Sequence, residues 1–141
     1  GGSTLIGRVD QVSLRSSKVQ LLNDTSSAVN VRLQTSGVTG LAAGQPDGSL
    51  LMQYIPLDAK VDVNDIALTS GLGGNLPRGL VVGQITSVQK HDVDLFQSAK
   101  LRAAADYDRV TIVLVITNFV PIEPAGDTAT PTPTPTAAPK P

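Results

Sequence analysis

Short aliphatic runs, each closed by a turn signal, set the rhythm of this chain and direct it to the all-β class. The clearest run spans residues 29–34, where Val29, Val31 and Leu33 alternate with Asn30, Arg32 and Gln34. Successive strand side chains point to opposite faces, so the first set faces a core and the second faces water. Residues 4–12 read as an earlier strand, with Gly7 inside it marking a bulge or a close backbone approach. Residues 14–17 turn the chain and residues 18–21 return. Asn23-Asp24-Thr25-Ser26 is a turn cluster whose short side chains bond the local backbone. Residues 37–44 read as a short strand with its turn. In Pro46-Asp47-Gly48, Pro presets φ and Gly supplies a positive one. Residues 49–55 run as a strand to Pro56, and the polar stretch 58–65 leads into the strand 66–69. A Gly- and Pro-rich loop fills 71–79, and 80–88 is a strand interrupted by Gly83.

Two later segments complete the pattern. Residues 110–120 carry the strongest strand signal, and their apolar continuity predicts burial on both faces. Residues 95–108 are mixed: the first half reads as a strand. The second half, with Lys100-Leu101-Arg102-Ala103-Ala104-Ala105, reads as one helical turn on propensity. Beyond Ile122 a Thr-Pro repeat removes backbone donors, so residues 122–141 read as a disordered, semi-rigid tail. Residues 1–4 read as a linker or a tag remnant, which leaves 5–121 as one domain.

Composition narrows the function classes. The core must be aliphatic, because there are two Phe, two Tyr and no Trp among 141 residues. A net charge of −1 with scattered Lys and Arg gives no basic stripe for nucleic acid. The absence of Cys excludes disulfides, a thiolate nucleophile and a sulfur-bound zinc. No run in the sequence approaches the ~18 apolar residues of a membrane span.

Catalytic constellations are weak. A nucleophilic triad would have to use the single His, His91, with Asp92 beside it and Ser70 in the Gly-rich loop, and sequence adjacency does not put a carboxylate on an imidazole nitrogen. His91, Asp92 and Asp94 lack a second His for a metal, and Asp62-Val63-Asn64-Asp65 lacks the Gly and distal Glu of a calcium loop. Gly71-Leu72-Gly73-Gly74 has no following Lys-Ser/Thr to cradle phosphate. Asn23-Asp24-Thr25 fits a glycosylation sequon, with local capping as the simpler reading. No cofactor and no metal site is expected. Leu72 and Leu76 are apolar residues in a loop: either they tuck beneath it or they present a small apolar patch.

The block from Asn64 to Ile85, with Asp65, Thr69-Ser70-Gly71, Gly73-Gly74, Pro77, Gly79 and Gly83, resembles the signature of the MreC family of rod-shape-determining proteins. In that family a Gly-Asp pair leads into Thr-Ser-Gly, then Gly-Gly, an aromatic, Pro and Gly, then a Val-Gly strand. Asn64 stands where Gly is usual, Leu76 where Phe is usual, and Ile85 replaces Val. Flanking stretches around Gly7-Arg8-Val9, Val29-Asn30-Val31, Tyr54-Ile55-Pro56 and Ala105-Asp106-Tyr107 resemble the family in order and spacing, so the likeness covers about residues 5–120.

The resemblance implies two small β-barrels or subdomains, similar to a chymotrypsin-like architecture without its triad. It implies an extracytoplasmic domain of a membrane-anchored parent, and a scaffold rather than an enzyme. Its partners would be the elongation transpeptidase (a penicillin-binding protein), other shape proteins and copies of itself, and not nucleic acid. Tyr54, Leu72, Leu76 and Pro77 are the expected partner-binding residues. Asp65, Thr69, Ser70, Gly71, Gly73, Gly74, Pro77, Gly79 and Gly83 are expected to be structural. A protease-like hydrolase of the same barrel fold and a wall-anchoring β-module are the alternatives, though the lack of Trp removes the usual sugar-stacking platform.

Overall fold

The computed structural model describes residues 3–74, 76–91 and 93–120, and these form an all-β structure. The eight strands are β1 (Gly7–Val12), β2 (Ser17–Leu21), β3 (Ala28–Leu33), β4 (Thr39–Gly44), β5 (Leu50–Pro56), β6 (Ile66–Thr69), β7 (Val81–Gln89) and β8 (Phe96–Ala103). Six of them close a barrel in the order β3-β4-β5-β8-β7-β6, while β1 and β2 form a separate two-stranded ribbon. Of the two subdomains expected, one is therefore a closed barrel and the other, among the described residues, is this ribbon. Residues 122–141, Asn75 and Asp92 lie outside the described residues.

Period-two patterning fills the barrel. Val31 and Leu33 of β3 are fully buried, and so are Leu50, Met52 and Ile55 of β5, Ala67 of β6, Val82 and Ile85 of β7, and Ala99 and Leu101 of β8. Aliphatic side chains of this size fill a small barrel without leaving a channel. Alternation breaks in β5: Met52 and Ile55 both point inward although they are three apart, because the β5–β8 register shifts between them. That bulge inserts an extra residue and re-aims its neighbours. Gly83 fits the predicted close approach, since a Cβ there would lie 2.5 Å from the Arg102 carbonyl oxygen across the β7–β8 pair.

Every neighbouring pair in the barrel is antiparallel. One end of the barrel thus carries the starts of β3, β5 and β7 with the loop 70–79; it is the proximal end here. The distal end carries the connections 34–38, 57–65 and 90–95. The ribbon lies at the proximal end, where its Gly7, Arg8 and Gln20 share a cavity wall with Gly71 and Leu72. Residues 3–5 run beside β7, with Leu5 N–H donating to the Val81 carbonyl at 2.8 Å.

Two predictions fail. No helical turn occupies 100–105: β8 continues through Ala103 because Lys100 and Leu101 pair with β5 on one side and β7 on the other. Shared ladders override the propensity of Lys-Leu-Arg-Ala. Residues 110–120 form no strand either, and Ile112 and Leu114 are 86% and 94% exposed. The barrel closes without this run and so offers it no edge to pair with.

Candidate protein-interaction site

Thr69 closes the neck of the loop 70–79. Its Oγ1 donates to the Pro77 carbonyl at 2.6 Å and accepts from Leu80 N–H at 2.9 Å. The Gly79 N–H donates to the Thr69 carbonyl at 2.9 Å, completing the clasp. Gly71 and Gly79 hold φ of 80° and 88°, values that side-chain-bearing residues resist. The loop is also tied to β3: Ser70 N–H donates to the Asn30 carbonyl at 3.0 Å, and Asn30 Nδ2 donates to the Leu72 carbonyl at 3.2 Å. Ser70 Oγ accepts the Leu72 N–H at 3.1 Å. Gly73 and Gly74 turn the tip with positive φ, and Gly74 N–H donates to the Gly71 carbonyl.

This scaffold settles the two alternatives for the loop leucines by splitting them. Leu72 is 58% exposed. Leu76 packs half-buried against the core, with Pro77 half-buried beside it. Beneath the loop a cavity of about 70 Å³ is lined by Leu5, Leu22, Val29, Thr69, Leu72 and Leu76. Small-molecule sites run to several hundred Å³, so the space beneath the loop is too small to be one.

Tyr54 lies at the other end of the barrel, near the distal end of β5. Strict alternation from Leu50 and Met52 would send its ring inward; the bulge puts Ile55 there and leaves Tyr54 60% exposed. Its φ is 61°, in the left-handed region, where L-residues with a Cβ are disfavoured by about 1–2 kcal/mol. The ring meets Phe96 edge-on, with centroids 5.8 Å apart and planes at 82°. Phe96 is there because it pairs with Pro56 across β5–β8. Nothing in local sequence marks Phe96, since its role depends on that register. The four expected contact residues thus form two surfaces, Leu72 with Leu76 and Pro77 at the proximal end, and Tyr54 at the distal end.

Asp65 and Asn64 of the same block lie at the opposite end of β6, in the distal connection. Asp65 is buried, and its Oδ1 accepts the N–H groups of Ile66 at 2.8 Å and Thr35 at 3.2 Å. Asn64 takes φ of 77°, the conformation Gly would supply, and Asn is among the side-chain-bearing residues that tolerate it best. Ser70 sits at the proximal end and His91 in the distal connection 90–95, where its Nδ1 meets Asp94 at 3.1 Å in solvent. Among the described residues no three His, Asp or Glu groups gather as metal ligands. The shifted titrations reflect local causes. Hydrogen bonds from the Ser26 side chain and backbone lower Asp24, those from Ser49 lower Asp47, and burial raises Tyr107.

Residues 1–117 match the family model "Rod shape-determining protein MreC, barrel core". The cell shape-determining protein MreC of Cereibacter sphaeroides is 35% identical over 140 residues, covering 99% of this chain and 44% of that protein. The chain therefore spans less than half the length of that relative. The crystal structure of MreC from Pseudomonas aeruginosa superposes with a TM-score of 0.70 at 27% identity, covering 76% of this chain and 70% of that one. A complex between penicillin-binding protein PBP2 and MreC from Helicobacter pylori matches with a TM-score of 0.57 at 27% identity, covering 63% and 55%.

Proposed function

This chain belongs to the MreC family of rod shape-determining proteins, and from that premise we propose that it is a non-enzymatic scaffold of the cell-wall elongation machinery, held on the outer side of the cytoplasmic membrane. The observation that carries the reading is the family match across residues 1–117, the whole of the barrel and ribbon. Its partners are the elongation transpeptidase, other shape proteins and further copies of itself. The Helicobacter relative, whose structure is a complex with PBP2, supports the first of these. A scaffold of this kind acts by differential affinity: binding the active conformation of a synthase more tightly raises its population.

The two barrel ends divide this work. Leu72, with Leu76 and Pro77 behind it, lies beside the ribbon, and the exposed run 110–116 leaves the barrel from the same end. A two-stranded ribbon has unpaired strand edges, which favour pairing with another strand, so self-association belongs to this end. The placement of Ser70 and His91 at opposite ends argues against the hydrolase alternative.

Interferometry against the extracytoplasmic part of the elongation transpeptidase from the same organism tests the reading. Saturable binding is expected; none at high micromolar concentration would remove the transpeptidase from it. Leu72→Asp should lower the sedimentation-derived mass of concentrated protein while the chain stays folded. An unchanged mass would move self-association elsewhere.

A further inference from the structure

We propose that Asp47-Gly48 is a modification site, where the backbone rearranges spontaneously to isoaspartate, and that Ser49 is the latch that holds the rearrangement back. The chain contains one Asp-Gly pair and no Asn-Gly. Both residues are exposed, in the turn between β4 and β5. The chemistry needs only the chain and water. The Gly48 nitrogen attacks the side-chain carboxyl carbon of Asp47 and forms a C–N bond. The carboxyl C–OH bond breaks, and the hydroxyl leaves with the amide proton as water. Water then opens the five-membered imide at the Asp47 main-chain carbonyl carbon, so the chain runs through the former side chain. One water leaves and one returns, with no change of oxidation state.

Space at the turn permits the ring, and hydrogen bonds oppose it. Gly48 has no Cβ to shield its nitrogen, and a Cβ built there would have Asn23 Nδ2, at 3.9 Å, as its nearest neighbour among the described residues. Both reacting groups are nonetheless tied down. The Gly48 N–H donates to the Gln45 carbonyl at 2.9 Å, and its proton is the one the reaction must remove. Asp47 Oδ1 accepts the Ser49 N–H at 3.0 Å and also the Ser49 hydroxyl, the bonding of a local side-chain turn. Lys100 Nζ lies 3.5 Å from Oδ2. The Ser49 hydroxyl, ahead of the other contacts, holds the carboxyl in its charged form, from which no hydroxyl can readily leave.

The chain builds the same latch a second time. Asp24 Oδ1 accepts the Ser26 N–H at 2.8 Å and the Ser26 hydroxyl at 2.7 Å. Between them stands Thr25, whose branched Cβ crowds its own nitrogen. Asp24 thus has the latch without the reactive neighbour, and it is a control within the same molecule. Rearrangement at Asp47 adds one atom to the backbone of the turn. Leu50, three residues on, is buried and pairs with Gly44 across β4–β5 and with Leu101 across β5–β8. The altered turn therefore strains two ladders of the barrel at once.

Ageing the protein in neutral buffer at physiological temperature tests this, with isoaspartate read site by site through peptide mapping and an isoaspartate-specific methyltransferase. The parent unfolded in guanidinium chloride should accumulate isoaspartate at Asp47 faster than the folded parent. Folded Ser49→Ala should do so about tenfold faster than the folded parent, the effect of losing one charge-assisted bond. Ser49→Thr keeps the hydroxyl and should stay near the parent rate, and Ser26→Ala should leave Asp24 unmodified. A Ser49→Ala rate equal to the parent's, or a Ser49→Thr rate equal to that of Ser49→Ala, overturns the latch. Isoaspartate at Asp24 in Ser26→Ala, at the rate seen for Asp47 in Ser49→Ala, overturns the role of Gly48. An unfolded chain that forms none at Asp47 removes the site.

Discussion

Gln97→Glu should make the stability of this barrel depend on pH in a direction opposite to ordinary acid denaturation. Gln97 points inward from β8 and is 4% exposed. Its Nε2 donates to the carbonyls of Pro56 and Ala59, both at 2.8 Å, with the Leu57 carbonyl at 3.4 Å. Only the amide nitrogen can face three carbonyl oxygens, so the flip is fixed by chemistry. A carboxylate there has no proton to donate and meets carbonyl dipoles end-on. Losing two well-made bonds costs about 1 kcal/mol each, and leaving an uncompensated buried charge brings the total to about 3–5 kcal/mol. That is a large share of the ~5–15 kcal/mol that holds a domain folded.

Protonation relieves much of this cost, because the acid O–H restores one donor; the residual is about 1–2 kcal/mol. The new carboxyl therefore has a folded-state pKa raised above its unfolded value. The native state then binds the extra proton, and the variant's stability relative to the parent falls as pH rises above ~4.3, the unfolded Glu value. Urea denaturation of both proteins at pH 4 and pH 8 measures the difference directly. A penalty that is the same at both pH values, or below ~1 kcal/mol at pH 8, would refute the assignment of Gln97 as the donor that pins residues 56–59.

Two further perturbations probe the proximal end. Thr69→Val is isosteric but removes the clasp to Pro77 and Leu80. It should cost about 2–4 kcal/mol in urea and speed amide exchange at Leu80 and Gly79; unchanged exchange there would mean the neck is held by packing alone. Ser49→Ala should raise the Asp47 pKa toward the ordinary carboxylate range, because the Ser49 hydroxyl is the first cause of its depression and the Ser49 N–H the second. Asp47's contribution to stability is present above the unfolded carboxylate value and lost as pH falls through the lower folded one. The advantage of the parent over the variant should thus vanish in acid. A carbon-13 titration of Asp47 that is identical in both proteins would contradict this.

Much of the barrel was legible because its code is local. The alternation of Val31 and Leu33 needed only pleat geometry, and Pro46-Asp47-Gly48 only turn chemistry, with Gly48 at φ 85°. The loop 70–79 was readable as a feature but not in its internal division. Whether Leu72 or Leu76 faces water depends on how Asn30 and Thr69 tether the loop, and those partners come from distant strands. Phe96 and Tyr54 were illegible as a pair for the same reason, since the bulge between Met52 and Ile55 is set by the β5–β8 ladder. Residues 100–105 misled through real helix propensity that two flanking strands override. Residues 110–116 misled because β-propensity states what a segment can do, not whether it pairs: the closed barrel has no free edge, and the run does not join the ribbon.

The strand order β3-β4-β5-β8-β7-β6 also has a kinetic meaning. The barrel is two three-stranded meanders, β3-β4-β5 and β6-β7-β8, joined along two seams, β3–β6 and β5–β8. Each meander is made of hairpins whose contacts are close in sequence and can form early. Both seams join residues tens of positions apart, and each needs the loop entropy of the 57–65 connection to be lost first. Once one seam forms, the other is brought into register at little further entropic cost. Closure is then the late, rate-setting event, and the side chains that immobilise the connection, Gln97 and Asp65, act on how fast the ring shuts as well as on how firmly it stays shut.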